Sequence, residues 1–151
     1  MSRMSNRAAW RSTTNLLLKN IRYGIANSQS AKLQRELSQN TTLESGLASW
    51  QISMWFLIRQ PPTKVEYDKI ECPVLIIGGT EDKITPLTTQ LKLAGNYGNK
   101  ATVKVFPGAC HWTIGGSHFP KIKQTIFSWL DPKTERPATK NKRISLEALV
   151  A

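Results

Sequence analysis

Two residues in this chain are placed to do chemistry together. Asp82 stands in "ECPVLIIGGTEDKITP" (Glu71 to Pro86), five residues after Ile77, where an apolar run that reads as a buried strand gives way to a loop. His111 stands in "GACHWTIGG", 29 residues further on, after the second strand-like run "ATVKVFPG". Open α/β sheets gather ligands and catalytic groups outside the carboxyl ends of their strands. Neighbouring strands lie about 4.8 Å apart, so the loops that leave them can bring two side chains into contact. In that geometry Asp82 accepts a hydrogen bond from one imidazole nitrogen of His111 and fixes its tautomer. The other nitrogen can then take a proton from a hydroxyl nucleophile.

Each residue has a plainer competitor. Asp82 is also a loop carboxylate close to a helix start, which the helix dipole favours, and Glu81 is the neighbouring acid. His111 can be a loop histidine with an ordinary hydrogen-bonding role. His118, in "GGSHFP", reads as a surface or capping residue at a helix start. Trp112 either lines a pocket beside His111 or packs. Cys110 and His111 together suggest a metal or thiol site, but adjacent residues rarely converge on one ion and no further ligands accompany them; no cofactor or metal is expected.

The elements that must position this pair follow from hydrophobic periodicity. "PVLIIGG" is a continuous β-branched apolar run, as in a strand covered on both faces. Thr85 and Pro86 read as N-cap and first-turn residues of a helix with Leu87, Leu91 and Ala94 on one face, ended by Gly95 and Gly98. After "ATVKVFPG", Phe119, Ile122, Ile126 and Leu130 mark a last amphipathic helix. Strand, helix, strand, helix implies an α/β class with a parallel sheet and right-handed crossovers.

Residues 1–60 read as all-helical. Leu17, Leu18, Ile21 and Ile25 share one helical face, with Gly24 weakening its end, and "SAKLQRELSQN" is a short polar helix that stops near Asn40. Leu43, Leu47, Trp50, Met54 and Leu57 recur at steps of three and four, flanked by Ile52, Trp55 and Phe56, so a helix buried on more than one side is expected. Pro61 and Pro62 end it and mark a subdomain boundary. Residues 132–151 read as a basic, disordered tail. A parallel sheet needs several strands, and only one neighbour for "PVLIIGG" is evident, so the chain reads as the end of a larger fold.

Together, "CPVLIIGGTEDKITP" and "VKVFPGACHW" resemble the C-terminal half of the α/β-hydrolase superfamily. Gly79, Asp82 and Pro86 match its Gly-x-x-Asp-x-x-x-Pro motif, and Gly108, His111 and Trp112 its Gly-x-x-His-Trp-like loop. The match covers roughly Lys69 to Leu130. It implies that Asp82 is a triad acid and His111 the triad base. Residues 1–60 then correspond to a helical cap or lid, and residues 61–131 to the C-terminal part of the core, a partial fold ending in its last two strands. Trp50, Trp55 and Phe56 would face the core or an acyl pocket, giving Trp55, Phe56 and Trp112 as candidate pocket residues. The substrate implied is a small ester-like molecule.

The family orders its triad Ser, Asp, His, with the serine in Gly-x-Ser-x-Gly. No such motif occurs here; Ser45 is preceded by Leu43 at the first glycine position and reads as part of a helix start. An oxyanion-hole loop is also missing. The nucleophile is therefore expected outside these residues, on a complementary chain or a part lost by truncation, and the isolated chain is expected to be inactive. An Asp or Cys nucleophile in that missing half is not distinguished. The alternative function is a non-catalytic remnant or anion-binding module of the same fold.

Composition adds limits. The 151 residues are 40% hydrophobic and 21% charged, with a net charge of +11. That charge is uneven, because seven Lys or Arg residues precede the first acid, Glu36. This admits an organelle transit peptide, although a basic solvated surface explains it more simply. No aromatic–basic interleaving or nucleic-acid motif is present. No stretch approaches 18 consecutive apolar residues, so no transmembrane segment is expected. Two cysteines, Cys72 and Cys110, outside any C-x-x-C pair, read as reduced thiols of a cytosolic protein.

Overall fold

The computed structural model describes residues 13–14, 16–57, 59 and 64–131. The residues of the expected tail, of the acid-free start before Thr13 and of Pro61 and Pro62 lie outside the described residues. Within them the chain is mixed α/β, with a small parallel sheet.

That sheet pairs β3 (Val74–Gly79) with β4 (Ala101–Phe106) in parallel, Val74 opposite Ala101 and Gly79 opposite Phe106. Alternation along each strand sends successive side chains to opposite faces. Ile76, Ala101 and Val103 pack on the connecting helix α4 (Leu87–Tyr97) through Ala94 and Tyr97. Ile77 and Phe106 go the other way, with Ala109, towards Ile122 and Ile126 of α5 (Phe119–Leu130). A helix on each face is what the apolar run in β3 demands. Ile122 is 1% exposed and Phe127, on the far side of the same helix, is open to solvent; Leu130, expected on the buried face with Ile122 and Ile126, is 52% exposed at the helix's last turn. Gly98, at φ 61, stops α4. Gly95, expected to help end it, lies inside the helix, which runs on to Tyr97 and closes with Gly98 N–H on the Ala94 and Gly95 carbonyls.

The N-terminal segment is mostly helical, with one addition to the expected pattern. Two-residue strands β1 (Thr13–Thr14) and β2 (Glu44–Ser45) pair antiparallel. Between them run α1 (Leu18–Asn20), continued by a wide π-turn over Ile21–Ile25, and α2 (Ala31–Gln39), whose Ser30 hydroxyl caps Leu33 N–H at 3.3 Å. Ser45 likewise caps α3 (Gly46–Ser53), as its helix-start reading requires. A short 3-10 turn, Trp55–Leu57, follows.

The expectation that this third helix is buried on more than one side is not met. Leu43, Ile52, Phe56 and Leu57 are all more than 60% exposed. Its principal contacts are with the strand just before it and the turn just after it, and Trp50 is half-buried. No described helix is long and apolar enough to cross a membrane.

Candidate active site

Asp82 and His111 meet at the carboxyl ends of β3 and β4. His111 Nδ1 lies 3.0 Å from Asp82 Oδ2. The Asp82 side chain is 4% exposed and that of His111 39%, so the pair has a buried end and an open end.

The turn after β3 is built around the carboxylate. Oδ1 accepts from Ile84 N–H at 2.9 Å and Thr85 N–H at 2.8 Å, and Oδ2 accepts from the Thr85 hydroxyl at 2.8 Å. This is the local bonding by which an Asp side chain closes a turn on its own backbone. Burial by itself pushes the Asp82 carboxyl up, but the donors from Thr85, His111 and Ile84 outweigh it and hold the group below its ordinary value. An ionised carboxylate only accepts hydrogen bonds, so it assigns the imidazole proton to Nδ1. In the neutral ring Nε2 is then the acceptor, and no described residue occupies it.

Thr85 thus serves Asp82 rather than the helix. The N-cap position of α4 belongs to Pro86, and no side chain caps that end. Gln90, buried one turn into α4, donates from Nε2 to the Thr85 carbonyl at 2.9 Å and supports the turn from behind. Neither role was expected, because a Thr-Pro pair before a helix carries the same signature as an ordinary cap.

The two loops are stitched together independently of the pair. Glu81 N–H donates to the Ala109 carbonyl at 3.0 Å, and Gly108 N–H to Thr80 Oγ1 at 2.9 Å. Gly79 is required by the closeness of this crossing, since a methyl there would overlap the Ala109 carbonyl. Gly108 takes φ 76, in the left-handed region that favours glycine.

The remaining candidates fall as follows. Glu81 is exposed, and its hydrogen bonds here are made by its backbone. Trp112 is half-buried, with its backbone N–H donating to the Ile25 carbonyl at 2.8 Å. Phe56 is 63% exposed rather than enclosed in a pocket. The side chain of Trp55 lies outside the described residues. His118 occupies the N-cap position of α5 without capping it, its Nδ1 lying 3.2 Å from the Ser117 hydroxyl. Cys110 is fully buried and accepts from Gln29 Nε2 at 3.5 Å. Burial pushes its thiol up, but hydrogen bonds from Ser28, Gln29 and the Trp112 backbone more than offset that and leave it lowered. No group of three or more His, Cys, Asp or Glu side chains suited to a metal occurs among the described residues.

No family model, curated protein or solved structure matches the chain.

Proposed function

We propose that Asp82 and His111 are the acid and base of a hydrolytic triad of the α/β-hydrolase type, acting on an ester-like carbonyl substrate. The observation that carries this reading is the Asp82–His111 hydrogen bond of 3.0 Å, buried at the carboxylate and open at the imidazole. That polarity is what general-base catalysis needs. The carboxylate orients the ring and stabilises the imidazolium, while Nε2 faces the proton to be removed.

In this reading His111 Nε2 takes the hydroxyl proton of a serine as its oxygen attacks the substrate carbonyl. The same proton then passes to the leaving alcohol, and a water deprotonated by Nε2 releases the acyl group. Among the described residues the Thr85 hydroxyl approaches the ring, but it stands on the Nδ1 side at 3.4 Å and is already committed to Asp82. Because the sequence carries no Gly-x-Ser-x-Gly, this reading takes the nucleophile from other polypeptide, set against the open side of the imidazole.

The test is fluorophosphonate labelling of the protein purified from its own source, with mapping of the labelled peptide. The expected result is label on a Gly-x-Ser-x-Gly serine outside residues 1–151, reduced when Asp82 is replaced by Asn. Label on a serine within these residues, or labelling indifferent to Asp82, overturns the reading.

A further inference from the structure

One short segment of the N-terminal half touches both loops of the pair. Ile25 accepts from Trp112 N–H at 2.8 Å, the residue directly after His111. Asn27 Nδ2 donates to the carbonyl of Glu81 at 3.0 Å, the residue directly before Asp82. Gln29 uses both ends of its carboxamide. Its Nε2 reaches Cys110 Sγ at 3.5 Å, directly before His111, and its Oε1 accepts from Ser117 N–H at 2.9 Å. The acid is thus held from one side and the base from both, by residues 54 to 88 positions away in the chain.

The segment is itself rigidly held. Buried Gln34 donates from Nε2 to the carbonyls of Ala26 at 2.9 Å and Gln29 at 3.1 Å, closing the turn from within. Gly24 lies so close to Ile84 that a methyl there would meet its Cδ1. A methyl at Gly116 would press on the Gln29 carboxamide. Lys83 Nζ sits 4.9 Å from the centre of the Tyr23 ring. Such contacts define a fitted junction, and several of its bonds go to backbone atoms of the loops.

We propose that Ile25–Gln29 is a brace between the acid loop and the base loop, with Asn27 and Gln29 as positioning residues for the Asp82–His111 pair. The catalytic meaning of that placement rests on the function proposed above; the mechanical claim does not. Neither side chain touches the pair. Each acts through the loop residue next to it, so removing either leaves the sheet core intact and lets one loop move against the other.

The experiment is proton NMR of the full chain with ¹⁵N-labelled histidine. The Nδ1 proton of His111 is assigned by its loss in His111→Gln and its retention in His118→Gln. In Gln29→Met, which keeps side-chain length but not its hydrogen bonds, and in Asn27→Ala, exchange of that proton with water is expected to quicken about tenfold, the effect of losing roughly one hydrogen bond. Far-UV circular dichroism stays unchanged. Gln29→Glu, which keeps the acceptor for Ser117 N–H, falls between Gln29→Met and the parent. Exchange that is unchanged in both Gln29→Met and Asn27→Ala overturns the brace while leaving the pair standing. Absence of the protected proton from the parent chain removes the pair itself, and with it both readings.

Discussion

Thr85 Oγ1 lies 2.8 Å from Asp82 Oδ2, the same oxygen that faces His111 Nδ1 at 3.0 Å. One carboxylate oxygen therefore carries two side-chain partners, and the other carries two backbone donors. The acid is held by its own turn as well as by the imidazole. Replacing Thr85 by Val removes the hydroxyl donor and keeps the backbone one. The Asp82 carboxyl should then titrate higher than in the parent, and folding should weaken by about 1 kcal/mol. A ¹³C titration of the carboxyl reads the first effect and a denaturant midpoint the second; an unmoved titration would show that the hydroxyl bond contributes nothing.

The depressed carboxyl also sets a pH dependence. Its folded pKa lies below the ordinary 3.8, so as acid is added the unfolded chain takes up the proton first. The stability it contributes is complete above that ordinary value and is lost as pH falls through the folded one. Asp82→Asn should be less stable than the parent at neutral pH, with the difference shrinking as pH falls through and below 3.8. Urea midpoints of the two proteins across that range check it, and a constant gap would rule it out.

Catalysis makes a larger demand on the same residue. Once the nucleophile-bearing polypeptide is present, Asp82→Asn should lower turnover by about four orders of magnitude, if the triad behaves as in serine hydrolases generally, because the ring loses its tautomer and orientation. A loss of only a few-fold would remove Asp82 from the triad.

Neighbouring glycines in β3 should differ in tolerance. At Gly79 a methyl meets the backbone carbonyl of Ala109, and at Gly78 it meets the end of the Gln90 side chain. Backbone is the harder to displace, so Gly79→Ala should cost about 1–3 kcal/mol and Gly78→Ala less. Comparing their urea midpoints decides the order.

Gln34 offers a test remote from the loops. Its Nε2 satisfies the Ala26 and Gln29 carbonyls in a buried setting. Gln34→Met should cost about 1–3 kcal/mol by taking from the Gln29 carbonyl its donor, while the Ala26 carbonyl keeps the Gln29 N–H at 3.0 Å; the loss is visible as a lowered thermal midpoint.

How much of this is legible in sequence depends on how local the cause is. The run Val74–Gly79, the face containing Leu87, Leu91 and Ala94, and the stop at Gly98 announce themselves because strand and helix periods are short-range signals. Asp82 and His111 are legible as a pair because each follows a recognisable strand. Thr85 is legible only as a cap, since its true partner three residues back leaves the same local pattern. Asn27, Gln29 and Gln34 are not legible at all: polar residues in a polar stretch, they acquire a role only when two distant loops arrive. The burial expected of α3 fails for the converse reason. An apolar face indicates that a helix wants a partner, yet Leu43, Ile52, Phe56 and Leu57 stay more than 60% exposed.

The wide turn at Ile21–Ile25 gives the molecule a dependence on length that no side chain reveals. Ala26 N–H reaches back five residues to the Ile21 carbonyl, at 2.8 Å, where an α-helix would reach four. Each residue of a regular helix advances the chain by about 100°. Deleting any one residue of that turn would restore a regular helix and swing everything after it by about that angle, carrying Asn27 off the Glu81 carbonyl and Gln29 away from Cys110. At this point the chain should tolerate a change of letter more readily than a change of count.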